Sequence, residues 1–243
     1  MHVLDVDQGD AILLISPSGK QILIDGGRDL APLSHLGRIL PLTDRTIELL
    51  VLTHPDLDHV AAFPELLKRY RIGAVLLTGV AAKAPAYEVF LQRLKDQNIP
   101  LLFADPALDL DLGDGLVLDI VWPPPGLLGK TVPNTNDTSI VMRALYRDHE
   151  ILLTGDVEEK GEAGILASGA DISADILKVG HHGSKTSSTT GFLLEVNPRL
   201  AIVSAGRDND YGHPHAVVMK RFESMGIPVR VTAEEGTVSL IFR

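Results

Sequence analysis

The sequence predicts a layered α/β or α+β domain, because two kinds of strand connection follow one another along its 243 residues. The first three apolar runs, at 2–6, 11–16 and 21–25, are joined by tight turns, which favours an antiparallel meander. Later apolar runs alternate with amphipathic stretches, which is typical of β-α-β units. An apolar share of 45% is enough for a large core.

Each further strand is predicted by a short apolar run between turn formers. These strands are 47–53, 73–78, 99–103, 116–122, 138–145, 151–155, 174–179, 200–205, 229–232 and 237–242. The predicted helices are 31–40, 60–71, 85–97, 158–168, 188–196 and 214–225. The last one shows the pattern, since Ala216, Met219 and Phe222 lie near helical spacing and Gly226 follows its end.

We expect one domain over residues 1–243. The loop 123–137 is the main break in the pattern, but it is too short to divide two domains and is expected to overhang a site. A strand begins at once at His2, which suggests that the domain was excised from a larger protein.

Composition excludes several classes of protein. The chain has no cysteine, so disulfides and thiolate metal sites are ruled out. A formal net charge of −10 argues against a passive DNA-binding module with a broad basic face. No apolar stretch approaches the roughly 18–20 residues that span a bilayer, so this segment is not expected to insert into a membrane.

The stretch Thr53-His54-Pro55-Asp56-Leu57-Asp58-His59 directly follows the predicted strand at 47–53. It places two imidazoles and two carboxylates within six positions, and these are the ligands that a divalent metal site without thiolates requires. The alternative is a polar turn in which His54 and His59 cap a helix. Four such groups at this spacing favour the metal site.

Further polar clusters adjoin other predicted strands, and side chains gathered at one rim of a sheet commonly build a site. The clusters are Asp25-Gly26-Gly27, Asn134 to Ser139, Thr154-Gly155-Asp156, Lys178 to Lys185, and Tyr211 to His215. Each has a structural alternative: Asp25 in a turn, Asp156 as a helix cap, and His213 and His215 as surface residues. His2, His35 and His149 are interpreted as structural or surface residues.

In this order, the clusters resemble the metallo-β-lactamase superfamily, in which a His-x-His-x-Asp-His loop is followed by a distal His, a bridging Asp and a last His. The resemblance implies a four-layered αββα sandwich with two metal ions at its edge. Here the loop reads His54-x-Asp56-x-Asp58-His59, so Asp56 replaces the second His.

Five separated motifs are similar, in the same order, to the C-terminal domain of ComEC-type competence proteins, and this resemblance covers almost the whole chain. They are the segments 5–11, 23–27, 53–59, 153–156 and 177–184. In this chain Asp7 stands where the family usually has Gly, and Asn136 or a neighbour stands in place of the distal His.

The competence-protein resemblance implies a function in natural transformation: a metal-dependent nuclease that degrades the DNA strand that is not imported. It further implies a domain of a polytopic membrane protein, beside a transmembrane channel in the same full-length chain and on the extracytoplasmic face of the bacterial membrane. A freestanding protein would instead be cytoplasmic or secreted. We expect a monomer.

By position in the motifs, His54 and Asp56 would bind the first metal, with Asn136 as a weak third group. Asp58 and His59 would bind the second, completed by His181 or His182, of which His182 is favoured. Adjacent residues on a strand face opposite ways, so one of these two would face the site and the other would support it. Asp156 would bridge both ions.

Replacing an imidazole by a carboxylate favours Mn²⁺ over Zn²⁺, although Zn²⁺ can also bind such a site. Two ions about 3.5–4 Å apart can stabilise the attacking and leaving oxygens of a phosphoryl displacement. Asp58 would act through the metal centre as a catalytic residue. Lys178, Ser184 and His213 are candidate catalytic and phosphate-binding residues, and Lys185 and Ser139 are candidate phosphate-binding residues.

Two other functions remain open. One is a small-molecule hydrolase of the same fold that acts on phosphodiesters or acyl esters. The other is a catalytically weak domain that only positions DNA beside a channel. A low aromatic share of 5% gives little sign of a base-stacking surface, so little sequence preference is expected.

Overall fold

The computed structural model describes residues 1–242, in which strands and helices alternate along most of the chain. In the first half these are β1 (His2–Val3), β2 (Ile12–Ile15), β3 (Gln21–Ile24), α1 (Ala31–Ile39), β4 (Thr46–Leu52), α2 (Leu57–Val60), α3 (Phe63–Arg69), β5 (Arg71–Leu77), α4 (Pro85–Asp96) and β6 (Leu101–Phe103). In the second half these are β7 (Asp109–Asp111), β8 (Leu116–Trp122), β9 (Val141–Tyr146), β10 (His149–Leu153), α5 (Glu159–Ser168), β11 (Ile176–Lys178), α6 (Thr190–Val196), β12 (Leu200–Val203), α7 (Ala216–Ser224), β13 (Val229–Val231), α8 (Thr232–Glu235) and β14 (Val238–Ser239).

The strands form two seven-stranded sheets, in the orders β14-β1-β2-β3-β4-β5-β6 and β13-β12-β11-β10-β9-β8-β7. The predicted antiparallel meander of β1, β2 and β3 is confirmed. From β3 to β6 the first sheet is parallel, and so is the second sheet from β10 to β13. Each sheet therefore combines an antiparallel part with a parallel part whose strands are joined by helices.

Three apolar layers hold the sheets and helices together. On β4, Leu49 and Val51 face the core between the two sheets, whereas Leu50 and Leu52 pack with the outer helices of the first sheet. The outer face of the second sheet packs against helices α5, α6 and α7 through residues such as Phe192. This alternation buries both faces of each sheet. The predicted four-layered αββα sandwich is confirmed.

The structure departs from the predicted elements at one predicted helix, at the strand β7 and at the short helix α8, which was not predicted. The helix expected at 60–71 is divided into α2 and α3, and Pro64 lies in the first turn of α3, where its missing N–H has no partner to lose. The strand β7 was not predicted, because its Asp-Leu-Asp sequence offers one apolar residue between two charges. It lies at the edge of the second sheet.

The parallel strands direct the polar clusters to one rim. The segments after β3, β4, β10 and β11 begin at Asp25, Thr53, Thr154 and Val179, and side chains from all four meet there. Within residues 1–242 we find no helix with the length and apolarity needed to cross a bilayer.

Candidate metal centre

The loop after β4 leads directly into α2, which contains two of its four polar groups. Asp58 and His59 lie in α2, and Asp56 immediately precedes the helix without capping it through its side chain. The backbone of Gly9 lies directly against this loop. Gly9 has a φ of +113°, and a Cβ added there would lie 2.2 Å from the carbonyl oxygen of Asp58. The two imidazoles of the loop are buried, whereas Asp56 and Asp58 are partly exposed.

Four residues from three segments place ligand atoms within 4.8 Å of one another: Asp58, His59, Asp156 and His182. The Nε2 atoms of His59 and His182 each lie 3.3 Å from Oδ2 of Asp156. His182 Nε2 also lies 3.5 Å from Oδ2 of Asp58. The structure thus brings together the residues that the sequence assigns to the second metal.

A second group surrounds the same carboxylate of Asp156. His54 Nε2 lies 4.0 Å from Asp156 Oδ2 and 3.9 Å from Asp56 Oδ2. His181 Nε2 lies 3.9 Å from Asp156 Oδ2. Asp156 Oδ2 therefore lies within 4.0 Å of the Nε2 atoms of four histidines.

The chemistry of these atoms fits divalent cations. The Nε2 atoms of His54, His59 and His182 and the Oδ1 of Asp156 are buried and form no hydrogen bond. A buried polar atom without a partner is destabilising by roughly 1–3 kcal/mol. Buried ligand atoms without a hydrogen-bond partner are explained by cations that accept their lone pairs.

The other ring nitrogens are held by hydrogen bonds that leave Nε2 free. His59 Nδ1 donates to Oδ2 of Asp25 at 2.8 Å, and His182 Nδ1 donates to the carbonyl oxygen of Ser204 at 2.9 Å. Asp25 is fixed in turn by Thr53, whose hydroxyl and backbone N–H donate to it. Such partners orient a ligating imidazole and raise its basicity.

The sequence predicts that the adjacent His181 and His182 face opposite ways. In the structure they do not. β11 ends at Lys178, and the pair lies in a 3-10 turn at Gly180–Gly183 with left-handed φ angles of 46° and 55°. Both rings consequently approach Asp156. His181 Nδ1 lies 3.0 Å from Oε1 of Glu158, so its Nε2 is the nitrogen directed towards the cluster.

The segment around Asn136 contacts the cluster through a different residue. Asn136 lies in a 3-10 turn, and its backbone N–H donates to Oδ1 of Asn134. The hydroxyl of Thr135 donates to Oδ1 of Asp56 at 2.7 Å. Thr135 thus fixes the carboxylate that replaces the second histidine of the metal loop.

Two of the candidate phosphate-binding residues are buried behind the cluster. The Lys178 amino group donates to Oδ2 of Asp10 at 2.7 Å and to the Val179 carbonyl oxygen at 2.9 Å. Ser139 is fully buried, with Oγ 3.3 Å from His54 Nδ1, and it accepts the Asp156 N–H. A direct contact of Lys178 with a phosphate would require breaking this ion pair.

Ser184, Lys185 and His213 complete the candidates, and of these three only Lys185 is exposed. Ser184 Oγ is 2.9 Å from the Thr186 hydroxyl, and the Lys185 side chain is exposed. The ring centroid of His213 lies 5.5 Å from that of His181 and 6.1 Å from that of His182. Burial and the neighbouring positive charges of His182 and His181 lower the pKa of His213 to about 4.

The imidazoles and carboxylates of the cluster shift one another's pKa values. Burial would lower the pKa of His59 and of His182, but Asp156 and the other neighbouring carboxylates raise both well above the usual value. Conversely, burial would raise the pKa of Asp156, but these two imidazoles hold it well below its usual range. In the metal-free protein the neighbouring carboxylates therefore favour the protonated form of both rings.

Sequence reasoning missed several residues that support the site. Asp25 was left open as a turn residue, and Asp10, Thr135, Glu158 and Ser204 were not singled out. Asp10 and Asp25 stand in the first two motifs shared with competence proteins, which was the available signal. The contacts of Thr135 and Ser204 depend on chain folding and leave no local pattern.

The chain is similar in sequence to known proteins. The family model described as the metallo-beta-lactamase superfamily matches residues 4–207. The whole chain aligns with ComE operon protein 3 of Bacillus subtilis at 29% identity, covering 33% of that protein. The Competence protein ComA of Neisseria gonorrhoeae is 28% identical over 97% of the chain and 31% of its own length. The chain spans about a third of the length of these relatives.

A solved structure has the same fold. The metallo-beta-lactamase fold protein YhfI of Bacillus subtilis superposes with a TM-score of 0.63, and the match covers 98% of each chain. Its sequence is 14% identical, so this likeness concerns the fold alone.

Proposed function

The chain belongs to the metallo-β-lactamase superfamily, and from this premise we propose that it is a two-metal phosphodiesterase that hydrolyses DNA. The observation that carries the proposal is Asp156, whose Oδ2 lies within 4.0 Å of Nε2 of His54, His59, His181 and His182. Proteins of this superfamily are generally metal-dependent hydrolases, and the four unsatisfied buried atoms of this chain suit such ions.

We assign the ligands from the contacts. The first ion would be held by His54, Asp56 and Asp156, with His181 as a further ligand because its Nε2 approaches the shared carboxylate. Asn136 makes no comparable contact among the described residues, and Thr135 instead fixes Asp56.

The second ion would be held by Asp58, His59, His182 and Asp156. Bound at these two positions, divalent cations would supply Lewis acidity, activate a water and neutralise phosphate charge. The carboxylate of Asp56 favours Mn²⁺ in the first position, because carboxylates suit harder ions better than imidazoles do.

Several other side chains would support the reaction without binding metal. Asp25 and Ser204 hold the rings of His59 and His182 in the orientation that presents Nε2. The Lys178–Asp10 pair lies behind His182. The exposed Lys185 and the more buried His213, whose ring lies 5.5 Å from that of His181, would be available to a bound phosphate.

DNA is the substrate that the relatives suggest, since one of them is named a competence protein. The formal charge of −10 is compatible with an enzyme, because the metal ions provide positive charge where the phosphate reacts. In a full-length protein of the relatives' size, we propose that this domain degrades the DNA strand that is not imported, on the extracytoplasmic face of the membrane.

The test is cleavage of plasmid and linear DNA with Mn²⁺ by the wild-type chain and by Asp58→Ala. We expect degradation by the wild type and loss of most activity in the variant. Asp96→Ala is the matched control, since Asp96 is exposed at the end of α4. Equal degradation by wild type and Asp58→Ala would contradict the proposal. Acyl-ester hydrolysis without DNA cleavage would favour a small-molecule hydrolase, and DNA binding without cleavage would favour a positioning domain.

A further inference from the structure

A groove of about 880 Å³ lies beside the metal cluster, within the roughly 300–1,000 Å³ typical of ligand pockets. One wall is the segment after β5, the other is the loop 126–132, and α4 and β6 form its floor. We call it the side groove. Its lining includes Val80, Lys83, Phe103, Leu128 and Thr135.

The side groove has fixed walls. The backbone N–H of Gly129 donates to the carbonyl oxygen of Gly79, and the N–H of Ala81 donates to that of Lys130, each at 2.8 Å. Gly79 has a φ of +76°, and a Cβ there would lie 2.9 Å from Leu128 and 3.0 Å from Phe103. The absence of a side chain at Gly79 lets both of these apolar side chains pack close to its backbone.

The side groove is continuous with the metal cluster through Thr135. This residue lines the groove, and its hydroxyl donates to Asp56, the ligand assigned to the first metal. If one phosphate of a polymer lies at the metal ions, the neighbouring residues of that polymer would therefore lie beside the groove.

The surface of the side groove is largely apolar and carries no acidic side chain. Leu128, Leu101 and Phe103 are 63%, 41% and 39% exposed, which is high for large apolar side chains. Its lining contains Lys83 and no Asp or Glu, in a chain with 32 acidic and 22 basic residues. Lys130 is exposed on the same wall.

We propose that the side groove receives the unpaired bases of a DNA strand next to the phosphate that is cleaved. Phe103 and Leu128 would contact base faces, and Lys83 and Lys130 would attract the backbone phosphates. In a duplex the base faces are stacked and paired, so the groove favours single-stranded over double-stranded substrate. This inference rests on the proposed function and names the form of DNA that the site takes.

The experiment measures binding of fluorescein-labelled oligothymidylate by anisotropy, in the Asp58→Ala background so that cleavage does not interfere. We expect Phe103→Ala and Leu128→Ala each to weaken binding roughly 5- to 100-fold, as for loss of one base contact. Leu194→Ala is the matched control, because Leu194 on α6 is 65% exposed, like Leu128. We expect Lys83→Ser to reduce the salt dependence of binding, and Lys95→Ser, on α4, to leave it unchanged.

Several outcomes would overturn the inference: groove variants that bind as tightly as the Leu194→Ala control, or equal affinity of the parent protein for a hairpin duplex. The first would favour an apolar protein partner. If Phe103→Ala lowers the melting temperature strongly, Phe103→Leu and the surface variant Leu128→Ala still decide the question. Hydrolysis of bis(p-nitrophenyl) phosphate by the wild type with Mn²⁺ tests the proposed function separately. That small ester can be cleaved even if the groove binds no DNA, and the groove can bind DNA even if the ester is not cleaved.

Discussion

The Lys178 amino group lies 2.7 Å from the carboxylate of Asp10, and both side chains are 1% exposed. The two residues are 168 positions apart in the sequence. Burial would raise the pKa of Asp10, but the charges of Lys178 and His182 lower it to about 2. Since Asp10 Oδ1 is 3.4 Å from His182 Nδ1, this ion pair lies directly behind a proposed metal ligand.

Removing one partner of this pair leaves the other charged and buried. We expect Lys178→Met to lower the free energy of unfolding by about 3–5 kcal/mol, and the double variant Asp10→Asn/Lys178→Met to recover part of the loss. Urea unfolding measures both. The exposed Lys220→Met is the control and should change stability by less than about 0.5 kcal/mol. If Lys178 instead contacted substrate alone, Lys178→Met would be as stable as this control and would only raise KM.

The contact of Gly9 with the metal loop is testable by adding one methyl group. Gly9→Ala places a Cβ against the carbonyl oxygen of Asp58, so Asp58 must move and Mn²⁺ affinity should fall roughly 10-fold or more. Gly19→Ala is a matched control, because Gly19 has a φ of +89° and no atom within 4 Å of the added Cβ. Both variants carry backbone strain of about 1 kcal/mol or more. Calorimetric titration with Mn²⁺ compares the two variants. Equal Mn²⁺ affinities of Gly9→Ala and Gly19→Ala would show that the contact does not position Asp58.

Metal binding should depend on pH through His59 and His182. Their pKa values in the metal-free protein are raised well above 6.5, so both rings carry a proton at neutral pH that a metal must displace. Apparent Mn²⁺ affinity should therefore rise with pH, about tenfold per unit for each proton released. Calorimetry in buffers with different ionisation enthalpies counts these protons. Affinity that is the same at about pH 6 and about pH 8 would contradict the prediction.

The same groups fix the sign of pH effects on the metal-free fold. A raised histidine pKa stabilises the fold fully below about pH 6.5, and this contribution is lost as pH rises through the folded-state values. The lowered pKa of Asp156 stabilises the fold above about pH 3.8 and is lost as pH falls through its folded-state value. Without metal, stability should therefore decline on the alkaline side and on the strongly acidic side.

Asp56 should set the preference between metals. In Asp56→His an imidazole replaces the carboxylate, so Zn²⁺ affinity should rise relative to Mn²⁺ by roughly tenfold, and Mn²⁺-dependent DNA cleavage should fall. Competition between the two ions, followed by metal analysis of the dialysed protein, gives the ratio. Asp96→His controls for a new surface imidazole. Highest activity of the wild type with Zn²⁺ alone would contradict the assignment of Mn²⁺.

The sequence predicted the fold well where its signals are local. The meander, the parallel strands and most helices were found because apolar runs and turn residues mark them. β7 was not predicted, because an edge strand with the sequence Asp-Leu-Asp has too little apolar content. The helix at 60–71 was predicted as one element, although α2 already begins inside the polar loop at Leu57.

The candidate site was predictable in its ligands and less so in its supports. His54, Asp58, His59, Asp156 and His182 come together in the structure, as their strand-end positions suggested. The orientation of His181 depends on left-handed backbone angles that a strand interpretation could not foresee. Lys178 looked available for phosphate because its partner Asp10 is distant in sequence, and only the fold reveals the pair.

The most direct test of the central claim is electron paramagnetic resonance of the chain titrated with Mn²⁺. If Asp156 is shared by two sites, the wild type should bind two Mn²⁺ ions per chain whose spectrum shows magnetic coupling, as expected for ions about 3.5–4 Å apart. Asp156→Asn should lose the coupled signal. A single uncoupled Mn²⁺ at saturation of the wild type would contradict the two-metal site.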